Sequence, residues 1–233
     1  MSAFTEDGFL VIEDVYTEQE LCALDALLAS IDTNAPNFRR TNDLFAIRQF
    51  LKEVPDALPL ICNDRLRTVI DTHMGKEYFI VRSIYFNKPA LSNWGVPWHQ
   101  DMTISVDKRT DKEGFTGWTV KHGQYSVCPP VQYMEHICTI RIHLDDTDGS
   151  NGALRVIRGS HKNGIVRTDE LQELKEVVTV NVRRGSIMLM RPLLFHASEK
   201  STTNRERRVI HIELGNMALP GGMEWSERAE LIS

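Results

Sequence analysis

Leu21, Leu24, Leu27, Leu28 and Ile31 recur at three- and four-residue spacing, the single apolar stripe of an amphipathic helix. Its start is marked by Thr17-Glu18-Gln19-Glu20, a capping box in which the Thr17 hydroxyl accepts from a backbone N–H while Glu20 reaches back to the cap. Gly8 to Ile12 reads as a short strand before it. A second amphipathic pattern runs from Leu58 to His73 and predicts one helix, ended by Gly75 where a left-handed cap is easiest.

From residue 79 the texture changes. Phe79 to Asn87, Ile137 to Leu144, Ala153 to Ile157, Val177 to Val182, Ser186 to Met190 and Arg207 to Leu214 are short, β-branched or aromatic, and separated by turn residues. Helices gathered near the N-terminus and followed by many short strands predict an α+β chain in which helices brace one sheet of a sandwich or jelly roll. Ser105 to Glu135 breaks the rhythm: it holds Gly114, Gly117, Gly123, Pro129 and Pro130 without a sustained strand pattern, so a long loop is expected. Phe115, Trp118, Tyr125 and Tyr133 make that stretch too aromatic for ordinary disorder. A lid over a site at 105–135 is the reading taken; a surface excursion packed on the helices is the other.

With 233 residues, 42% hydrophobic, the chain is long enough for one domain with a substantial core, and no linker or repeat divides 1–233. The net charge of −5, with Lys and Arg dispersed, argues against nucleic acid as a partner. No signal-peptide pattern or membrane-length apolar run is present, so a cytoplasmic protein without membrane association is expected. Cys22, Cys62, Cys128 and Cys138 are far apart and suggest neither a zinc knuckle nor a disulfide framework; they read as small buried apolar residues.

Candidate chemistry begins at Pro97-Trp98-His99-Gln100-Asp101. In an extended segment the imidazole of His99 and the carboxylate of Asp101 point to one face and could share an ion. Non-haem iron in oxygenases is held by two histidines and one carboxylate on one triangular face, which leaves three positions open. Of eight histidines, His196 stands out, because it follows the apolar strand Ser186 to Met190 at a strand end. Beyond it, Arg207, Val209 and His211 alternate with Arg208, Ile210 and Ile212, so only one of the two arginines can enter a barrel. A guanidinium there needs an anion, and the distal carboxylate of 2-oxoglutarate would satisfy it; two solvated arginines on an edge strand are the alternative.

These motifs resemble the phytanoyl-CoA dioxygenase family of 2-oxoglutarate oxygenases over nearly the whole chain. Phe4-Thr5-Glu6-Asp7-Gly8-Phe9 with Glu20-Leu21 looks like the family's N-terminal strand and helix, and Phe86-Asn87-Lys88-Pro89 before Pro97 to Asp101 like its metal segment. Leu144-Asp145-Asp146, Asn151-Gly152-Ala153-Leu154 and Arg158-Gly159-Ser160-His161-Lys162 resemble its central strand and turn, and His196-Ala197-Ser198 with Arg207 its closing motif. Arg158 departs from the proline usual before Gly-Ser-His.

The resemblance implies a double-stranded β-helix (jelly-roll, cupin-like) barrel braced by N-terminal helices. It implies that His99, Asp101 and His196 ligate Fe(II), and that Arg207 binds the distal carboxylate of 2-oxoglutarate. Arg141 is placed where the family has a residue contacting the co-substrate, so it would hold the other end of 2-oxoglutarate or the substrate. His161 reads as structural; His143 and His211 share strand faces with Arg141 and Arg207 and line the pocket or sit satisfied in the barrel; Trp98 reads as packing.

The implied activity is Fe(II)- and 2-oxoglutarate-dependent oxidation of a small-molecule substrate by O₂ with release of succinate and CO₂. Asp101 favours hydroxylation, since related halogenases have a small residue there; desaturation or cyclisation stays open. A non-catalytic metal- or 2-oxoglutarate-binding sensor or scaffold, and a cupin-like metalloenzyme that uses no oxoacid, are the rivals. If the substrate is an acyl-CoA, Lys108, Arg109, Lys112 and Lys121 are the basic residues placed to meet it.

Overall fold

The computed structural model describes residues 3–31, 38–40, 45–89, 94–121, 123–166 and 176–231. The N-terminal part holds α1 (Ala3–Asp7), β1 (Phe9–Ile12), α2 (Glu18–Ala29), β2 (Phe38–Arg40), β3 (Phe45–Arg48), α3 (Phe50–Glu53), α4 (Ala57–Ile61) and α5 (Asp64–His73). Then come β4 (Phe79–Lys88), β5 (Val96–His99), β6 (Ile104–Val106), β7 (Thr116–Lys121), β8 (Gln124–Cys128), α6 (Val131–Glu135) and β9 (Ile137–His143). The chain closes with β10 (Leu154–Ile157), β11 (Val177–Val180), β12 (Ile187–Met190), β13 (His196–Ser198) and β14 (Arg207–Gly215).

Seven strands form the large sheet in the order β1-β12-β9-β14-β4-β3-β2, and four form a smaller one, β11-β10-β13-β5. Every pairing given for these strands is antiparallel. The large sheet has two different buried faces. Ile140 and Ile142 of β9, Ile187 and Leu189 of β12, and Ile210, Ile212 and Leu214 of β14 pack in one apolar cluster with Leu21 and Leu24 of α2 and Leu66 and Ile70 of α5. The alternate positions point between the sheets. There Met188 and Met190 meet Leu154, Val156 and Val180 of the smaller sheet, while β9 and β14 bury Arg141, His143, His211 and Glu213. Each fully buried Leu or Ile on the helix side contributes about 1.5–3 kcal/mol.

The capping box at Thr17 forms: Glu20 N donates to Thr17 Oγ1 at 3.3 Å and Thr17 N to Glu20 Oε2 at 2.7 Å. The single helix expected over Leu58 to His73 is instead two, α4 and α5. Asn63 breaks it, with an extended backbone (φ −80°, ψ 167°) like that of the Thr17 cap (φ −76°, ψ 159°). Its side chain accepts from Leu66 N at 2.8 Å and donates to Val15 O at 3.0 Å and to Glu20 Oε1 at 2.9 Å. One amide thus starts α5 and ties it to the cap of α2. Gly75 follows α5 with φ +100°, in the left-handed conformation read from the sequence.

The 105–135 stretch is not the structureless loop expected. Apart from residue 122, which lies outside the described residues, it folds as the antiparallel sheet β6-β8-β7 followed by α6. Phe115 and Tyr133 meet with tilted rings, 5.5 Å between centroids, and belong to a separate apolar cluster with Ile104, Val127 and Trp225. A register shift between Thr116 and Thr119 and the positive-φ residues Gly114, Gly117 and Gly123 interrupt the period-two pattern, which hid the strands. Cys22 is exposed, against the expectation of a buried residue, whereas Cys62 and Cys138 are buried.

Glu227, 8% exposed, pins the C-terminal segment to β4: Ser83 donates to it through its N–H at 3.0 Å and through its hydroxyl. Burial raises the Glu227 carboxyl to about 7, against the lowering pull of the Ser83 hydrogen bonds and Arg82. Between the unfolded value of 4.5 and about 7 the folded state holds a proton that the unfolded state has lost. The contribution of this group is therefore complete below that window and falls as pH rises through it. Glu227→Gln should remove this slope, gaining on the order of 3 kcal/mol relative to wild type between pH 5 and pH 8. Urea denaturation of both proteins at several pH values checks it; a constant difference would count against the assignment.

Candidate metal centre

β5 and β13 are neighbours in the smaller sheet, with His99 opposite His196 in register. Their rings stand 4.1 Å apart between centroids. Asp101 lies just beyond β5, where its N–H donates to Pro192 O at 2.9 Å. Its two carboxylate oxygens face the two rings, Oδ1 at 3.8 Å from His99 Nε2 and Oδ2 at 3.7 Å from His196 Nε2. One ligand atom from each of the three residues falls within 4.8 Å of the others.

The rings are already turned for a metal. His99 Nδ1 lies 2.8 Å from Pro97 O and His196 Nδ1 2.9 Å from Leu194 O, so each Nδ1–H donates to a carbonyl and each Nε2 lone pair is left toward Asp101. Burial, with His99 and Arg141 nearby, pushes His196 down to about 4 against the pull of Asp101, which keeps it neutral at physiological pH. Burial raises the Asp101 carboxyl, but His196, His211, His99 and Arg82 outweigh it and hold it below the usual range. Two imidazoles and one carboxylate are a donor set that fits a non-haem divalent metal with open positions.

A pocket of about 220 Å³ adjoins these residues and receives Arg141, Arg207, His211 and Glu213 from the large sheet. Arg207 enters it while Arg208 points to the opposite face, held by Asp145 at 2.7 Å and Asp25 of α2 at 2.7 Å. Arg207 Nη1 donates to Gly152 O, and burial together with Arg141 lowers its guanidinium to about 9. Gly152 has φ +84°, and a Cβ there would meet Glu199 O at 2.9 Å and Lys88 Nζ at 3.1 Å, so glycine lets this turn close onto Arg207.

Arg141 Nη1 donates to His211 Nδ1 at 3.2 Å, its Nε has no partner among the described residues, and burial lowers the guanidinium to about 10. No ion pair is found for Arg141 or Arg207 among the described residues. His211 thus accepts on Nδ1 and offers Nε2–H to Glu213 at 3.4 Å. Glu213 also accepts from Arg82 at 2.8 Å.

His143 lies in the barrel with Nδ1 2.9 Å from Thr147 Oγ1. His161 is away from the metal residues and meets Thr5 O at 3.2 Å. The turn containing it is structural, since Ser160 Oγ accepts from Phe195 N at 2.9 Å, one residue before His196. Arg158 pairs with Asp7. Trp98 packs under the Arg155 guanidinium, 5.6 Å from its ring centroid.

Sequence reading missed Gln100, Arg82 and Glu213. Gln100, 5% exposed, donates to Gly164 O and Leu193 O, each at 2.7 Å, and accepts from Val166 N at 2.9 Å. It stitches the His99–Asp101 segment to the loop that delivers His196. Glu213 lies on the Arg207/His211 face of β14, so extending the alternation by two residues would have found it.

A family model described as phytanoyl-CoA dioxygenase matches residues 4–209. The chain belongs to the phytanoyl-CoA dioxygenase family. The resemblance carried by the sequence motifs is therefore borne out. A phytanoyl-CoA dioxygenase domain-containing protein 1 homolog from Caenorhabditis briggsae is 21% identical, covering 96% of this chain and 91% of its own. The solved structure of EctD from S. alaskensis with 2-oxoglutarate and 5-hydroxyectoine matches 98% of this chain and 82% of its own at 20% identity, with a TM-score of 0.70. HygX from Streptomyces hygroscopicus, with nickel, 2-oxoglutarate and hygromycin B bound, matches 92% of this chain and 85% of its own at 19% identity, with a TM-score of 0.65. The jelly-roll barrel expected for the family is thus the observed fold, and no helix of the described residues is long and apolar enough to cross a membrane.

Anaerobic titration with Co(II), followed by its visible absorption, should show one equivalent bound by the wild type and none by His196→Ala. Gln100→Leu strands three backbone groups around the loop and should weaken binding by about 10-fold or more. An unchanged affinity in Gln100→Leu would remove its positioning role.

Proposed function

We propose that the chain is an Fe(II)- and 2-oxoglutarate-dependent dioxygenase that oxidises a small molecule, with His99, Asp101 and His196 as the metal ligands. The observation that carries this reading is the pairing of that donor set with two buried guanidinium groups in the adjoining pocket. Bound iron would supply the oxidising chemistry, using O₂ and 2-oxoglutarate and releasing succinate and CO₂. EctD and HygX, of the same fold, were crystallised with 2-oxoglutarate.

The residues of the chain bind, orient and shield. Arg207 receives the distal carboxylate of 2-oxoglutarate, the anion its planar fork lacks among the described residues. Arg141, on the neighbouring strand and nearer Asp101 in its electrostatics, receives a second anionic group, from the co-substrate's other end or from the substrate. Asp101 occupies the third ligand position with a carboxylate, which supports hydroxylation. The β6-β8-β7 sheet serves as the lid anticipated over 105–135: Ser105 of β6 accepts from Arg82 inside the barrel at 2.9 Å, so the sheet is tied to the pocket wall. Closing the pocket limits water at the reacting centre.

Protein purified without metal and given Fe(II), 2-oxoglutarate and O₂ should form succinate, and omission of any one should stop it. Asp101→Ala should lose this turnover. Arg207→Met should raise KM for 2-oxoglutarate about 30-fold or more, the loss of about 2 kcal/mol for a buried charged partner. Turnover that proceeds without 2-oxoglutarate would exclude the proposal.

A further inference from the structure

A second cleft, of about 250 Å³, opens where β3 ends beside β4 and the lid sheet comes over. It shares two residues, Arg82 and Ile84, with the metal pocket. Thr103, two residues after Asp101, and Ser105 are on its wall, so the segment that carries the metal ligands runs directly into it. Arg82 is the partition between the two spaces, fixed on one side by Glu213 at 2.8 Å and on the other by Ser105 at 2.8 Å.

The lining is polar. Gln49, Thr119, Lys121, Gln124 and Ser126 contribute to it, and Ile84 is its one apolar residue among the described residues. Gln49 reaches it from a left-handed backbone, φ +51°, which non-glycine residues rarely adopt and which concentrates at binding and catalytic sites. The charges are unequal. Arg82 is matched by Glu213, Glu227, whose carboxyl burial raises to about 7, is hydrogen-bonded by Ser83, Arg48 also lines the cleft, and Lys121 has no ion pair among the described residues, which leaves a cation at the rim.

The volume lies below the roughly 300–1,000 Å³ of pockets for drug-sized ligands, and such pockets are mostly apolar. Nor do the basic residues of the lid gather for a coenzyme A. Arg109 lies over Trp118 at 5.9 Å, Lys112 lies against Gly221 and Lys108 against Gly222, and of the four only Lys121 lines this cleft.

We propose that this cleft binds the part of the substrate remote from the reacting C–H bond. The substrate is then a compact hydrophilic molecule carrying a carboxylate or phosphate, with hydroxyl or amide groups for the Thr, Ser and Gln side chains, rather than a fatty-acyl thioester. This rests on the dioxygenase reading above and specifies its substrate class. Lys121 meets the anion, and the partition at Arg82 and Ile84 sets how far the reacting end extends toward the metal residues.

The test uses the full chain loaded with Co(II) and 2-oxoglutarate under nitrogen, so that binding is read without turnover. Saturation-transfer NMR would compare gluconate and quinate as carboxylates, glycerol phosphate and ribose phosphate as phosphates, and octanoyl-coenzyme A. At least one of the four polar anions should bind and octanoyl-coenzyme A should not; which pair binds decides between carboxylate and phosphate. Lys121→Glu, at an exposed position, should weaken the polar ligand about tenfold by placing a like charge against it. Binding of octanoyl-coenzyme A alone, binding of none of the four, or unchanged affinity in Lys121→Glu would each overturn the proposal. Succinate formed from Fe(II), 2-oxoglutarate and O₂ without added substrate separates the two ideas: its absence sinks the dioxygenase reading, whereas its presence with a failed binding test sinks only the substrate class.

Discussion

Two guanidinium groups buried in one barrel, neither with a carboxylate partner among the described residues, set the terms for the rest of the structure. Removing a cation from water costs several kcal/mol even after relaxation. Arg141 recovers part of this from the field of Asp101 and from the His211 ring nitrogen. Arg207 has the Gly152 carbonyl and the opposing field of Arg141. Both are more comfortable with an anion beside them than in the free protein, so the barrel is built for a ligand bearing negative charge.

A scaffold that holds such groups must be rigid on its other side. The alternation along β9, β12 and β14 provides this, because the residues between the barrel-facing ones seal against α2 and α5. Arg208, facing away from its neighbour Arg207, adds a polar tie through Asp145 and Asp25 from sheet to helix. Across the pocket, Gln100 and the Asp101 N–H to Pro192 bond fasten the two metal-bearing segments to each other. The histidines are thus set by backbone carbonyls, and the loops bearing them by buried amides.

What was legible in the sequence was what short range decides. The capping box at Thr17, the left-handed Gly75, the His99–Asp101 pair and the opposite facing of Arg207 and Arg208 follow from spacing and strand period. His196 became legible only together with them, and Arg141 and the choice of Arg207 over Arg208 only through the family resemblance. Asn63 was missed because its helix-breaking effect depends on bonds to Val15 and Glu20, far away in the chain. The lid strands were hidden by a bulge and glycines, and Gln100 by the fact that all three of its partners come from distant segments.

The order of the large sheet has a kinetic corollary. Its edge strand β1 pairs with β12, Phe9 against Met190, and its central strand β14 pairs with β4 and β9. Almost every ladder therefore joins segments remote in sequence, and loop entropy must be lost before any of them is rewarded. Such a topology folds on the slow side of the range for its size, in milliseconds to seconds. The apolar strands Ile137–His143 and Ile187–Met190 would spend that interval without their partners, which makes the refolding yield of this chain sensitive to its concentration.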